Sequence, residues 1–162
     1  MIILGVDPGT ARVGWGLVKE QKSKVTVCSF GCIETKPHQD LALRLKEIFD
    51  AITKLIQKGK PQVLAIEDLY FAANAKTVIS VAQARGIILL AAAQSAIPVV
   101  SYTPLVVKQT ITGSGRADKR QVQFMITKLL HLTSVPTLDD TADALAIALT
   151  HAFSYKLRTK LL

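Results

Sequence analysis

Residues 2–10 read Ile2-Ile3-Leu4-Gly5-Val6-Asp7-Pro8-Gly9-Thr10, an apolar run closed by a carboxylate and broken at once by Pro-Gly. Such a run is a buried strand leading into a tight turn, with Asp7 standing where the chain leaves the sheet. A second run, Val63-Leu64-Ala65-Ile66, ends in the same way on Glu67. It is apolar on successive residues, as a central strand covered on both faces should be. Asp140 and Asp143 lie just before Ala144-Leu145-Ala146-Ile147-Ala148-Leu149, and their i, i+3 spacing puts both on one face of a helix.

Outward from these runs the pattern predicts strands at about 2–7, 13–19 and 24–35, joined by short links into an antiparallel meander. Leu41, Leu45, Ile48, Ile52 and Leu55 recur at helical spacing until Gly59-Lys60-Pro61 stops the helix. A strand at 62–67 follows, then a helix capped by Asn74 and running to about Ser95, then a strand at 98–102. Strand, helix, strand at this spacing implies a parallel crossover, and the class is α/β. Thr103-Pro104 opens a short helix to about Thr112, and Gly113-Ser114-Gly115-Arg116-Ala117 is the best candidate for a mobile loop. Asp118 caps a helix through Leu130, and the last helix begins near Asp139 and runs to about Tyr155. One domain over 1–155 and a basic, frayed tail over 156–162 are expected.

The chain has 162 residues, 49% of them hydrophobic, which fits one domain with a sizeable core and excludes disorder as the main state. Twenty Lys and Arg against twelve Asp and Glu leave a net charge of +8, so a polyanionic partner is favoured and nucleic acid is the first candidate. Met1 leads straight into the first strand with no signal peptide pattern, so a cytoplasmic location is expected. The apolar run from Gly86 to Ala93 is short of the roughly 18 residues that span a bilayer, and no membrane partner is expected. Cys28 and Cys32, four apart in a strand, should share a face beyond disulfide reach and read as core thiols. His38, His131 and His151 are scattered and form no motif with a nucleophile.

If the strands bearing Asp7 and Glu67 are parallel neighbours, both carboxylates emerge at their carboxyl ends, where open α/β sheets place their sites. A helix packed there completes the cluster with Asp140 and Asp143. Four close carboxylates repel one another and raise each other's pKa unless cations compensate. Hard ions with oxygen ligands, Mg²⁺ or Mn²⁺, are the expected compensation. Two such ions about 3.5–4 Å apart could activate water and stabilise the attacking and leaving oxygens of a phosphodiester. Each acid also has a structural use: Asp7 in an Asp-Pro-Gly turn, Glu67-Asp68 at a solvated strand end, and Asp139, Asp140 and Asp143 at a helix N-terminus, where Asp139 is assigned a capping role. The catalytic reading rests on the coincidence of four acids.

Ile3 to Thr10, Ala65-Ile66-Glu67, Gln83-Ala84-Arg85-Gly86, Val107-Lys108-Gln109-Thr110 and Ala142 to Ala148 resemble the RuvC family of Holliday junction resolvases, in that family's order and over nearly the whole chain. The Asp-x-Gly-Thr opening is also similar to the phosphate-binding turn of the actin and sugar-kinase ATPases, but those need two large lobes. The resemblance implies an RNase H-like fold with a mixed five-stranded sheet and helices on both faces. It implies a homodimer that nicks two strands of four-way junction DNA symmetrically, leaving ligatable ends, in recombination and repair. Asp7, Glu67, Asp140 and Asp143 become the catalytic acids and the ligands of Mg²⁺. Lys108 and Lys119 match lysines used for backbone contact and catalysis; Arg116 and Arg120, beside Lys119, could help to hold the strand. The junction-engaging aromatic falls on Tyr70, with Phe71 beside it, and either ring could stack on an unpaired base. The helix from Asn74, with Ala82, Ala84 and Gly86, is where the resemblance places the dimer contact. RuvA and RuvB branch-migration proteins are the implied partners. A YqgF-type nuclease acting on RNA and a catalytically silent junction-binding module are the alternatives.

Overall fold

The computed structural model describes residues 1–22, 24–68 and 75–160, so Asn74, Tyr70 and Phe71 lie outside the described residues. The strands are β1 (Ile2–Asp7), β2 (Arg12–Gln21), β3 (Lys24–Glu34), β4 (Val63–Glu67) and β5 (Val99–Tyr102). The helices are α1 (Leu41–Gly59), α2 (Ala75–Gln94), α3 (Pro104–Thr112), α4 (Lys119–Leu129) and α5 (Asp139–Lys160). The sheet order is β3-β2-β1-β4-β5, with β1, β2 and β3 antiparallel and β1, β4 and β5 parallel. Both expected parts of the mixed sheet are therefore present, joined at β1.

Alternation along β1 decides which way its acid points. Ile3 enters the core beneath α5, while Leu4 and Val6 enter the core beneath α1 and α2. Asp7 has the parity of Ile3 and faces α5. In β4, Val63 and Ala65 lie on the α5 side and Leu64 and Ile66 on the other, which leaves Glu67 facing α5 as well. Opposite, α1 buries Ile48, Ile52 and Ile56; Asp40 caps its start by accepting from the Ala42 N–H, and Lys60 ends it in the left-handed region at φ 45°.

Residues 141–150 of α5 are all buried except Asp143. Such a helix lies deep in the protein, and its contact surface is built from small side chains and three strand glycines. A Cβ on Gly5 would overlap the carbonyl of Ala144, one on Gly14 the carbonyl of Asp140, and one on Gly16 the Leu145 side chain. Gly5 pairs with Gly16, and Asp7 with Gly14, so this bare patch runs up to the candidate acid.

Several expectations need correction. α5 runs through Lys160 rather than ending near Tyr155, because no glycine or proline interrupts the segment and Lys and Arg are good helix formers. Cys28 is exposed and Cys32 only half-buried, so they are not core thiols. Leu17 pairs with Ser29 but Val18 with Val27, which leaves Cys28 as the extra residue of a β-bulge and switches the alternation between the two cysteines. The glycine-rich loop is braced: the Gln109 side chain donates to the Gly113 carbonyl at 2.8 Å and accepts from the Gly115 N–H at 2.8 Å. No helix among the described residues is long and apolar enough to cross a membrane.

Candidate active site

β1 and β4 run in parallel with Val6 opposite Ile66, which brings the next residues, Asp7 and Glu67, side by side. The two carboxyl groups interact directly, so that a proton on Asp7 would be donated in a hydrogen bond to Glu67. Burial, then the charges of Glu67, Asp143 and Asp140, push the Asp7 carboxyl up to about 8. Burial also raises Glu67, with Asp143 adding to the rise and the bond from Asp7 opposing it. Asp143 is raised by burial against the pull of Lys119. The site thus carries more negative charge than its surroundings neutralise. Behind Asp7 the turn is pinned from α1, where Arg44 Nε donates to Thr35 Oγ1 at 2.8 Å and Thr35 Oγ1 donates to the Thr10 carbonyl at 2.6 Å.

The bare backbone of Gly14 lets the first turn of α5 settle onto β2, and Asp140 is held there. Arg12 Nε stands 3.0 Å from Asp140 Oδ2, yet off the line of its N–H, so this buried oxygen has a charge partner but no hydrogen bond. Lys119 lies 3.6 Å from Asp143 and 3.1 Å from Asp139. Asp139 also accepts from Gln123 Nε2 at 2.8 Å. Its side chain therefore ties α5 to α4 instead of capping α5, although it does stand in the first turn.

Glu67, Asp143, Lys108 and Lys119 line one cleft of about 230 Å³, with apolar walls from Val107, Val122 and Ile147. Both expected lysines thus meet the acids. Arg116 and Arg120 do not line this cleft and are exposed. Two arginines to which sequence reasoning gave no role, one of them inside the quoted Gln83-Ala84-Arg85-Gly86 motif, stand beside these acids. Arg12 is the charge partner of Asp140. Arg85 donates from Nε to the Glu67 carbonyl at 3.2 Å and from Nη2 to Ser101 Oγ at 2.8 Å, and it pairs with Asp68 at 3.4 Å. It straps together the ends of β4 and β5 behind Glu67. An arginine inside the apolar α2 was the signal available for it.

Among the described residues, no three acid, histidine or cysteine side chains stand ready to grip one ion. The reason is visible in the ion pairs: Asp140 is turned onto Arg12 and Asp143 towards Lys119. The chemistry of the set still fits a hard divalent cation. All its donors are carboxylate oxygens, one is buried with no hydrogen bond, and three of the four acids are raised above the usual carboxylate range by burial and, after that, by one another's charge. Asp7, Glu67, Asp140 and Asp143 would hold such an ion only if Asp140 and Asp143 turned from their cations towards it.

The family model described as crossover junction endodeoxyribonuclease RuvC matches residues 3–151. A protein of Desulforamulus reducens with that description is 47% identical over 152 residues, covering 94% of this chain and 93% of the relative. Another, from Rubrobacter xylanophilus, is 49% identical over 156 residues, covering 96% and 87%. Among solved structures, Thermus thermophilus RuvC in complex with Holliday junction substrate superposes with a TM-score of 0.93 at 32% identity, over 98% of this chain and 97% of that one. The RNase H-like fold expected from the motifs is the fold observed.

Proposed function

The chain belongs to the RuvC family of crossover junction endodeoxyribonucleases, and from that membership and its site we propose that it resolves Holliday junctions in DNA recombination and repair. It is a nuclease that hydrolyses phosphodiester bonds, cutting two strands symmetrically and leaving ligatable nicks. The observation that carries this reading is that Glu67 and Asp143 share one cleft with Lys108 and Lys119, while Asp7, beside Glu67, feels the charges of Glu67, Asp143 and Asp140.

Two Mg²⁺ ions, for which Mn²⁺ could substitute, would when bound supply water activation and charge neutralisation at the scissile phosphate. Asp7, Glu67, Asp140 and Asp143 would hold them through carboxylate oxygens, for which Asp7 would have to be ionised. Lys108 faces the charge that develops on the phosphate, and Lys119 holds the strand at the cleft. Arg116 and Arg120 extend that hold along the backbone, and Tyr70 or Phe71 engages a junction base. Val107, Val122 and Ile147 keep water away from one side of the reacting group.

Arg12 competes with the ions for Asp140. Arg12→Gln is expected to tighten Mn²⁺ binding to the DNA-free protein about five-fold, the effect of roughly 1 kcal/mol for a half-exposed ion pair. Calorimetric titration reads this directly, and unchanged affinity would show that Arg12 does not compete.

Symmetric cutting calls for two like sites, and α2 supplies a surface for a homodimer. Ile79, Gln83, Gly86, Leu90 and Ala93 are exposed and follow the alternating four-and-three spacing of a helix–helix seam. Ile79 is 60% and Leu90 47% exposed, unusual for such side chains on an otherwise apolar helix. Leu90→Glu is expected to convert a dimer into a folded monomer in sedimentation experiments; a dimer that persists would move the contact elsewhere. RuvA and RuvB are the partners, and the cytoplasm is the location, that family membership favours.

The decisive experiment incubates the protein with a labelled mobile four-way junction, or the matched linear duplex, in Mg²⁺ or in chelator. Paired nicks that religate, made only in the junction and only with metal, are the expected result. A junction bound but left intact would leave a binding module, and cutting of RNA alone would replace the reading with an RNA nuclease.

A further inference from the structure

α4 contains Lys119, Arg120 and Lys128 and no acidic residue. Its inner side packs Val122 and Ile126 into the core, and Lys119 turns to the catalytic cleft. Its outward side presents Arg120, Phe124 and Lys128 at intervals of four, each about 6 Å further along one face. Phe124 is 58% exposed, and Lys128 Nζ stands 5.5 Å from the centre of its ring. Arg116 continues the stripe beyond the start of the helix. With Gln121, Phe124 and Met125 it lines an open groove of about 400 Å³. Arg116 is held at this place, since its N–H donates to Ser114 Oγ at 3.3 Å within a loop braced by Gln109.

An aromatic ring left in solvent between cations matches a polymer that alternates phosphates with flat bases. Cations take the phosphates, and the ring offers a stacking surface that every base can use. A protein partner would call for more apolar area and fewer charges at the centre of the contact. The stripe also begins where the cleft ends, because Lys119 opens α4 and lines the cleft. We propose that the outward face of α4 is a second DNA contact, which takes the strand leaving the catalytic cleft with its phosphates on Arg116, Arg120 and Lys128 and an unstacked base against Phe124. The proposal rests on the junction-cutting reading and adds a seat for the flanking strand.

The test uses the full chain and a four-way junction in chelator, which prevents cutting, with 2-aminopurine placed in turn at each nucleotide near the cut site. Phe124→Ala is expected to weaken binding about ten-fold, to abolish the fluorescence change at one position, and to leave the salt dependence of binding unaltered. Phe124→Trp restores both. The double variant Arg120→Gln, Lys128→Gln is expected to reduce the slope of log K against log salt by about 1.4–1.8, the release of two phosphate contacts. Phe124→Ala with wild-type affinity and a wild-type fluorescence change overturns the proposal, as does a double variant that keeps the wild-type slope. A wild-type protein that ignores the junction overturns this proposal and the resolvase reading together, whereas failure of the variants alone leaves the resolvase reading intact.

Discussion

Asp7→Asn is expected to cut four-way junctions at least about 10³-fold more slowly than wild type, to bind them as well or better, and in the absence of metal to be more stable than wild type at neutral pH. The loss of cutting follows from removing one of the four carboxylates proposed to hold the ions, since charge stabilisation of this kind contributes several kcal/mol and each 1.36 kcal/mol is about ten-fold in rate. Binding should survive because the change also removes a negative charge that would face the DNA backbone in the proposed complex. The stability gain comes from protonation. In the folded, metal-free protein Asp7 keeps its proton up to about pH 8, whereas its ordinary value is 3.8. The native state therefore binds more protons than the unfolded chain between these values, and wild-type stability falls as pH rises from about 4 to 8. The neutral amide avoids this loss and can still donate to Glu67, so the gap between variant and wild type opens across that window and is level above it. Melting curves from pH 4 to 9 in chelator, paired with single-turnover cutting in Mg²⁺, check both halves. Parallel curves for the two proteins, or cutting close to the wild-type rate, would remove Asp7 from the proposed role. Adding Mg²⁺ should stabilise wild type at pH 8 far more than the variant.

Asp7 and Glu67 were legible because the feature that marks them is local: an apolar run that stops on an acid. Their meeting on one side of the sheet needed only the pairing of β1 with β4, which the strand, helix, strand pattern implied. What the pattern did not carry was anything decided by a second element packing onto the first. Gly14 reads as a weak strand residue until α5 lies against it. The bulge at Cys28 inverts the face of every later residue in β3 by inserting a single position, and nothing in a run of β-branched and small residues marks where that happens. Arg12 and Asp139 illustrate the same limit for charge. Both were visible as ionisable groups, but which partner each would choose depended on α4 and β2 arriving beside α5. Lys108 and Lys119 gained their weight from the family motifs, since a lone cation in a chain of net charge +8 carries little by itself.

The glycine bed leads to the second large effect. Gly14→Ala is expected to lower the melting temperature by about 3–10 °C and to slow cutting about 100-fold at temperatures where the variant is fully folded. An added Cβ would overlap the carbonyl oxygen and carbonyl carbon of Asp140, both of them backbone atoms at the start of a buried helix. No side-chain rotation relieves that collision, so either β2 or the first turns of α5 must shift. Forced repacking of this kind costs about 1–3 kcal/mol, and for a domain of this size each kcal/mol is worth roughly 2–4 °C. The shift falls on the segment that carries Asp140 and Asp143, while Asp7 and Glu67 stay on the sheet, so it changes the distances between the two pairs of acids. A misplacement on the order of 1 Å costs about 10²-fold in rate when the chemistry depends on positioned groups. Divalent-ion affinity should fall with the rate if the same four carboxylates set both, as proposed, while junction binding, assigned to surface cations away from this contact, should hold. A variant that loses stability but binds Mn²⁺ and cuts like wild type would mean that α5 regains its place over β1 and β4 despite the extra methyl, and the close approach at Gly14 would then support the fold alone.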